Sequence, residues 1–326
     1  MNWRVKGLVQ KVLGYIPAGH DAHYLIQRSF GGLKNFPGEF TSKVDDWRIM
    51  IDHLHGAGCP VAGARLGEIG TGWYPTFPFA CYLGGARQVV TVDLNRHLKV
   101  ALTRRSAVMM GAHLDAIAAA CRVPLGDVQE RHRRLMEKLR AQADDRLDLA
   151  AASEGVIDYR APADARALDL PDASIDCIFS NSVLEHVPRE VIDGLFREGK
   201  RLLVPGGVMF HSVNCGDHYA YVDRSISQLH YLRYSDTDWR LWQNEFLFQN
   251  RMRAPEFIDL AESAGFAIAL NTAHPTEKRL RELQQVPVHP QFDRFPPEQL
   301  CITTIDFLAR KPAAHAAAGQ AGRQGS

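Results

Sequence analysis

Short apolar runs alternate with helix-patterned segments along most of this chain, and that alternation limits the fold more than any other feature. "ARLGEIG" (64–70) and "QVVTVDLN" (88–95) read as strands, with "PTFPFACYLGGA" (75–86) as the helix between them. "VIDYRAP", "DCIFSNS", "GVMFHSVN", "FAIALNTA" and "LCITTIDFLAR" supply five further strands, and a helix before "GVMFHSVN" ends at Pro205-Gly206-Gly207. The runs are short, rich in β-branched residues and bounded by turn formers. Strands separated by helices need crossover connections, so the expected class is α/β: a mostly parallel seven-stranded sheet with helices on both faces.

The flanks and interruptions set the domain organisation. Residues 1–62 form an N-terminal helical segment. In "MNWRVKGLVQKVLGYIP", Val5, Leu8, Val9, Val12, Leu13 and Ile16 recur at helical spacing, with Arg4, Lys6 and Lys11 on other faces. Such a helix either packs on the main domain or rests on a membrane surface with Trp3 at the interface. A second helix is expected in "TSKVDDWRIMIDHLHGAG", capped at Thr41–Ser42 and stopped by glycine. The main domain spans 63–312. Residues 95–155 are too long for one crossover helix and read as a helical insert whose charged part, "QERHRRLMEKLRAQADDRLD", is a solvated face. Residues 215–255, rich in aromatics and histidine, form a cap or a substrate wall. The Ala/Gly/Gln tail, 313–326, is expected to be disordered.

A formal net charge of +1 over 326 residues gives no general affinity for nucleic acid. No run of about 18 apolar residues is present to span a membrane, and the start of the chain lacks the apolar core of a signal peptide. Six cysteines without a Cys-x-x-Cys pair read as buried, reduced thiols. The expected location is cytoplasmic, with residues 1–16 as a candidate peripheral contact at the inner membrane surface. No metal site is expected, and a homo-oligomer is compatible with the chain.

The first strand runs into a glycine turn, Glu68-Ile69-Gly70-Thr71-Gly72, and Asp93 follows Gly72 by 21 residues at the end of the second strand. Up to this point a nicotinamide-dependent oxidoreductase fits nearly as well. Three features separate the readings. Glu68 stands just before the glycines, where a carboxylate repels a diphosphate and attracts a sulfonium or ammonium group. Asp164 lies ten residues before Ser174, ahead of the third-motif strand, and Pro205-Gly206-Gly207 precedes the next one. Over residues 64–214 this order resembles the class I S-adenosylmethionine-dependent methyltransferases, which implies their Rossmann-like fold and S-adenosyl-L-methionine as cofactor. By that resemblance Glu68, Gly70, Thr71 and Gly72 border the methionine part. Asp93 holds the ribose, Leu94 lies against the adenine, Asp164 and Ala165 meet the adenine edge, and Asn181 sits near the methionine end. Trp73 and Tyr74 line the methionine end or the acceptor mouth, although Tyr74 departs from the family's usual third glycine. Each acid has a structural alternative as a helix cap, and Glu185-His186 either shapes its loop or takes part in chemistry.

Methyl transfer from a sulfonium is an in-line displacement, so alignment is the protein's main task. A hydroxyl or amine acceptor also needs a proton acceptor, whereas a carboxylate is already ionised. Candidate bases are His186, His211, Asp217 and His218. His230, Tyr231 and Arg251 are candidate acceptor contacts, with Asn214 nearby and Arg251 and Arg253 able to clamp an anion. No Asn-Pro-Pro-aromatic tetrapeptide follows the third-motif strand, where Asn181-Ser182-Val183-Leu184 stands instead, so nucleic-acid methylation is not expected. The stretch 217–253 resembles a segment of bacterial methyltransferases of small-molecule and cell-surface pathways. Chain size, the basic N-terminus and the aromatic insert loosely resemble the enzymes that esterify 3-hydroxy fatty acids to quorum-sensing methyl esters. The expected function is O-methylation of a small or lipid-like, partly apolar acceptor. Alternatives are methylation of a sugar or secondary-metabolite hydroxyl or amine, and an NAD-dependent oxidoreductase.

Overall fold

The computed structural model describes residues 2–15, 24, 32–143 and 145–313. Met1, Ile16 of the first expected helix and the tail from residue 314 lie outside the described residues. In chain order the elements are α1 (Trp3–Gly14), α2 (Phe36–Gly56), β1 (Arg65–Ile69), α3 (Thr76–Leu83), β2 (Gln88–Val92), α4 (Val100–Met110), α5 (Leu114–Cys121), α6 (Leu125–Ala141), α7 (Leu149–Ala152), β3 (Ile157–Arg160) and β4 (Ile175–Asn181). There follow α8 (Arg189–Leu202), β5 (Leu203–Asn214), α9 (Asp236–Trp239), α10 (Ala254–Ser263), β6 (Ala267–Asn271), α11 (Glu277–Leu283), α12 (Pro297–Leu300) and β7 (Thr304–Arg310).

The seven strands form one sheet in the order β3-β2-β1-β4-β5-β7-β6. Strands β1 to β5 pair in parallel, and β7 runs antiparallel to both β5 and β6. The chain first builds outward from β1 to β3, then returns to the other side of β1 at β4. That reversal opens a crevice at the carboxyl ends of β1 and β4, where ligands of open parallel sheets bind. The central strands are apolar on both faces because helices cover both. One layer packs Phe40, Trp47, Phe79, Leu83 and Leu135 on the sheet. The other packs Leu195, Phe196, Phe257 and Ala261.

Two boundaries differ from the sequence reading. Helix α2 begins at Phe36, with Pro37 in its first turn, where a missing N–H costs nothing; Thr41 and Ser42 are interior rather than capping. Strand β5 begins before the Pro-Gly-Gly turn: Ile175 pairs with Leu203, and pairing resumes at Cys177–Val208. Residues 204–207 therefore loop out within the strand, and Gly206 takes φ +81° there. The 95–155 insert contains four helices, α4 to α7, with Val128, Leu135 and Leu139 of α6 buried. The outer face of α6 carries the ion pairs of Arg133 with Glu130 and Glu137.

The 215–255 segment forms short 3-10 turns at His218–Tyr221 and His230–Arg233, then α9. These close around the start of α1. Trp3 is buried among the rings of Trp242 (4.5 Å), His230 (4.9 Å) and Tyr219 (5.4 Å), and its backbone N–H donates to Asp223 (3.0 Å). Gly7 brings the helix close, since a Cβ there would lie 2.9 Å from the Tyr219 hydroxyl. The placement of Trp3 at a membrane interface is thus corrected: an indole with an aromatic box available within the fold packs there. The Val5, Leu8, Val9 and Val12 face of α1 nonetheless points outward. No helix among the described residues is long and apolar enough to cross a membrane.

Candidate cofactor and acceptor site

The crevice at the β1/β4 reversal is a cavity of about 740 Å³. That volume suits a ligand of nucleoside size with room beside it. All nine residues expected to meet a cofactor line it: Glu68, Gly70, Thr71, Gly72, Asp93, Leu94, Asp164, Ala165 and Asn181. Trp73, Tyr74 and His186 line it too.

The turn after β1 needs its glycines. Gly70 has φ +86°, and a Cβ there would stand 2.5 Å from Val183 Cγ2. Gly72, at φ +73°, donates its N–H to both carboxylate oxygens of Asp93 (3.2 and 3.3 Å). The Tyr159 hydroxyl donates to Asp93 Oδ2 as well (3.1 Å). Burial nevertheless lifts Asp93 to about 6. Glu68 is buried to the same degree and rises to about 8 chiefly through burial, against the stabilising hydrogen bond from the Thr91 hydroxyl. Thr91 also contacts Thr71 Oγ1. At the outer end, Leu94 is 70% exposed. Asp164 is held by its neighbour Arg166, through Nε (3.0 Å) and Nη2 (2.6 Å). The Asn181 side-chain Oδ1 accepts from Lys43 Nζ. Tyr74 packs edge-on to Phe36 (4.9 Å), and burial raises its phenol to about 12.

The wall after β4 is mixed, with Val183, Val187, Pro188 and Val191 beside Asn181, Ser182 and His186. His186 Nδ1 lies 2.6 Å from the Phe248 carbonyl, which fixes the proton on Nδ1 and the lone pair on Nε2. Burial lowers the His186 pKa, so the ring is neutral at pH 7. Glu185 beside it is 4% exposed, and neither of its carboxylate oxygens has a hydrogen-bond partner. Burial raises it to about 8, although the backbone amides of Glu185 and Asn214 and the charge of Lys43 oppose the shift. His218 stands behind His186 with ring centroids 4.8 Å apart, off the cavity wall. Burial lowers His218 to about 3, with His186 and Lys6 adding to the effect.

The other expected acceptor-side residues stand outside the cavity, engaged by their own chain. His211 is fully buried in β5 between Phe196 (5.5 Å) and Phe307 (5.3 Å), with Nδ1 2.7 Å from Ser180 Oγ. Burial alone takes it to about 3. Asp217 and His230 pair with each other (2.9 Å) inside the aromatic box around Trp3. The Tyr231 hydroxyl donates to the Cys215 carbonyl (2.5 Å). Arg251 donates to the carbonyls of Tyr231 (3.0 Å) and Tyr234 (2.7 Å), pairs with Asp236 and lies over Trp239 and Phe292. Arg253 is wholly buried and donates to three carbonyls and the Tyr231 hydroxyl. Arg251, Arg253 and Tyr231 satisfy backbone carbonyls of an irregular segment that lacks ladder partners, while the imidazoles of His211 and His230 bond to side chains.

Sequence reasoning missed Lys43, Tyr159, Arg166 and Glu245. Lys43 comes from a helix that precedes the first strand, so no motif spacing points to it. Tyr159 was findable: it sits next to the end of β3, on the carboxyl edge of the sheet where parallel-sheet sites lie.

A family model described as "Methyltransferase domain" matches residues 134–211. No curated protein matches the sequence. Among solved structures, the chain is similar to an S-adenosylmethionine-dependent methyltransferase from Mesorhizobium loti, at 18% identity over 79% of this chain and 96% of that one, TM-score 0.40. It is similar to a methyltransferase from Methanosarcina mazei, at 15% identity over 77% and 93%, TM-score 0.41. It is also similar to magnesium protoporphyrin IX methyltransferase from Synechocystis with bound S-adenosylhomocysteine, at 11% identity over 82% of each chain, TM-score 0.42.

Proposed function

We propose that this chain, a class I S-adenosylmethionine-dependent methyltransferase, transfers the methyl group to a hydroxyl oxygen of a small, partly apolar acceptor. The observation that carries the reading is His186: a neutral imidazole on the cavity wall with Nδ1 committed to Phe248 and its Nε2 lone pair left for chemistry. Attack on the sulfonium methyl forms the O–CH₃ bond as the S–CH₃ bond breaks and its electron pair passes to sulfur. A hydroxyl must lose its proton in that step, and this corner is where it leaves. Trp73, Tyr74, Phe77 and Val183 give the acceptor side apolar walls. Carboxyl methylation, including esterification of a hydroxy fatty acid to a signal, called for an arginine clamp. Arg251, the candidate for it, is committed to Tyr231, Tyr234 and Asp236.

A screen with methyl-labelled S-adenosylmethionine against phenols, hydroxy acids, free fatty acids and sugars tests the reading. The expected product is an alkali-stable ether on a hydroxyl-bearing apolar compound. Label recovered only as an alkali-labile ester overturns it.

On the cofactor side, Asp93 accepts hydrogen bonds from the ribose hydroxyls in this reading, supported by its place on the cavity wall at the end of β2. Its carboxyl titrates near 6 in the folded protein, and the charged form is the better acceptor. Affinity is therefore full above that pH and lost as pH falls through it. Calorimetric titration of S-adenosylhomocysteine should show Kd rising about fourfold from pH 7.5 to 5.5, as the ionised fraction falls. A flat profile would remove Asp93 from the ribose.

The outward face of α1 is proposed to rest on an anionic membrane surface, with Val5, Leu8, Val9 and Val12 exposed and Arg4 and Lys11 flanking them. Leu241, also exposed, lies beside Lys11, whose Nζ donates to its carbonyl (3.1 Å). The protein should sediment with phosphatidylserine-containing vesicles, and the Leu8→Glu, Val12→Glu double variant should lose at least about tenfold in partitioning, given about 0.8 kcal/mol per buried methylene. Equal partitioning of the two proteins would sink this contact.

A further inference from the structure

Glu185, His186 and His218 each offer a ligand atom, and these atoms all lie within 4.8 Å of one another. They arrive from separate parts of the fold. Glu185 and His186 belong to the 3-10 turn Leu184–His186 after β4, and His218 opens the turn after β5. Neither oxygen of the buried Glu185 carboxylate has a hydrogen-bond partner, and His218 Nε2 has none either. Lys43 is close enough for its charge to act on Glu185, but its Nζ donates to Asn181. Apart from the nearby backbone amides of Glu185 and Asn214, these buried acceptors have no donor and no paired cation, which is unfavourable unless something positive joins them. The Phe248 carbonyl holds His186 in the tautomer that ligation requires, as second partners of ligating histidines do.

We propose that Glu185, His186 and His218 bind one divalent first-row transition-metal ion, with its open positions turned toward the cavity that His186 lines. Two imidazoles and one carboxylate suit Zn²⁺, Mn²⁺, Fe²⁺ or Co²⁺ and not the all-oxygen shells of Ca²⁺ or Mg²⁺. Three protein ligands with a vacant position are the arrangement of catalytic rather than structural zinc. With bonds of about 2.1 Å, a tetrahedral ion sets its ligands about 3.4 Å apart. The three side chains close in by no more than about 1.4 Å to reach that spacing, within rotamer adjustment. The role of the ion rests on the proposed hydroxyl acceptor: it binds the acceptor oxygen and lowers the pKa of its proton, which is released to water. The binding itself rests only on the three side chains.

The full-length protein, stripped with chelator and titrated with Co²⁺, gives the test. The expected result is a saturable visible d–d spectrum of low-coordinate cobalt at one ion per chain, erased by one equivalent of Zn²⁺. His218→Ala and Glu185→Gln should each weaken Co²⁺ uptake at least tenfold while S-adenosylhomocysteine still binds, which shows that the variants are folded. A wild-type protein that shows only hydrated cobalt, or variants that bind cofactor and keep full Co²⁺ affinity, would overturn the site. Should a variant lose cofactor binding, the wild-type Zn²⁺ displacement decides alone. Metal uptake with label transferred to a carboxylate would leave the site standing and remove the hydroxyl reading; O-methylation by protein that takes up no metal would do the reverse.

Discussion

Replacing His186 with alanine lowers kcat for methyl transfer by about 10²–10⁴-fold, the range for removing a group that handles a proton in the transition state. Affinity for S-adenosylhomocysteine changes by less than about threefold, because His186 comes from the turn after β4 while Asp93 stands at the end of β2, with β1 between the two strands. Single-turnover label transfer gives the first quantity and calorimetry the second. The two readouts separate roles that one rate would merge. An unchanged kcat in a folded variant takes His186 out of the chemistry. An equal loss in affinity and rate assigns it to the methionine end of the cofactor. The loss is expected whether the Nε2 lone pair acts on the acceptor directly or through an ion. Histidine is held here by one hydrogen bond from the far nitrogen, to Phe248, so His186→Asn, which can donate to that carbonyl but presents no imidazole lone pair, should remain as slow as the alanine variant.

The cofactor half of the site was legible because backbone geometry dictates its residue types. A strand that must turn at once under a ligand needs left-handed φ, and Gly70 and Gly72 both have it. Asp93 follows the next strand, where the family resemblance expects the ribose-holding acid. Spacing along β1, the helix after it and β2 is set by rise per residue, so these positions could be counted off. The acceptor half carries no such rule. His211 lies within β5, His230 opens a turn and His186 ends one, and their identities do not say which is enclosed by phenylalanines, which pairs with an aspartate and which meets a cavity. Burial is a property of the tertiary fold, and a histidine, tyrosine or arginine is as useful for satisfying irregular backbone as for binding a ligand. Lys43 shows the same limit from the other side. Its helix was legible, but that the helix packs with one lysine reaching Asn181 follows from how α2 docks on β1, β4 and α3. The unpaired Glu185 was invisible for the further reason that His218, the residue that gives it meaning, is 33 positions away.

Arg253→Met is expected to destabilise the fold by at least about 3 kcal/mol, the most costly single change on the acceptor side. The guanidinium is fully buried and donates to the carbonyls of Cys215 (2.8 Å), Leu300 (3.1 Å) and Ile302 and to the Tyr231 hydroxyl (2.7 Å). It thereby joins the end of β5, the His230–Arg233 turn and the approach to β7. Methionine keeps most of the apolar stem but removes the side-chain donor from the Leu300 and Ile302 carbonyls and leaves the Cys215 carbonyl only the Tyr231 hydroxyl; each acceptor left unsatisfied costs about 1–3 kcal/mol. Partial relaxation and water entry recover part of the sum. Urea or thermal unfolding of the ligand-free protein measures the loss, with the denaturant slope checked for a change in two-state behaviour. The competing role, an arginine that clamps an acceptor carboxylate, makes the opposite pattern: unfolding midpoint unchanged and acceptor KM raised. An arginine whose two terminal nitrogens are both committed to its own chain does not show that pattern, because removing it disturbs the empty protein before any acceptor arrives.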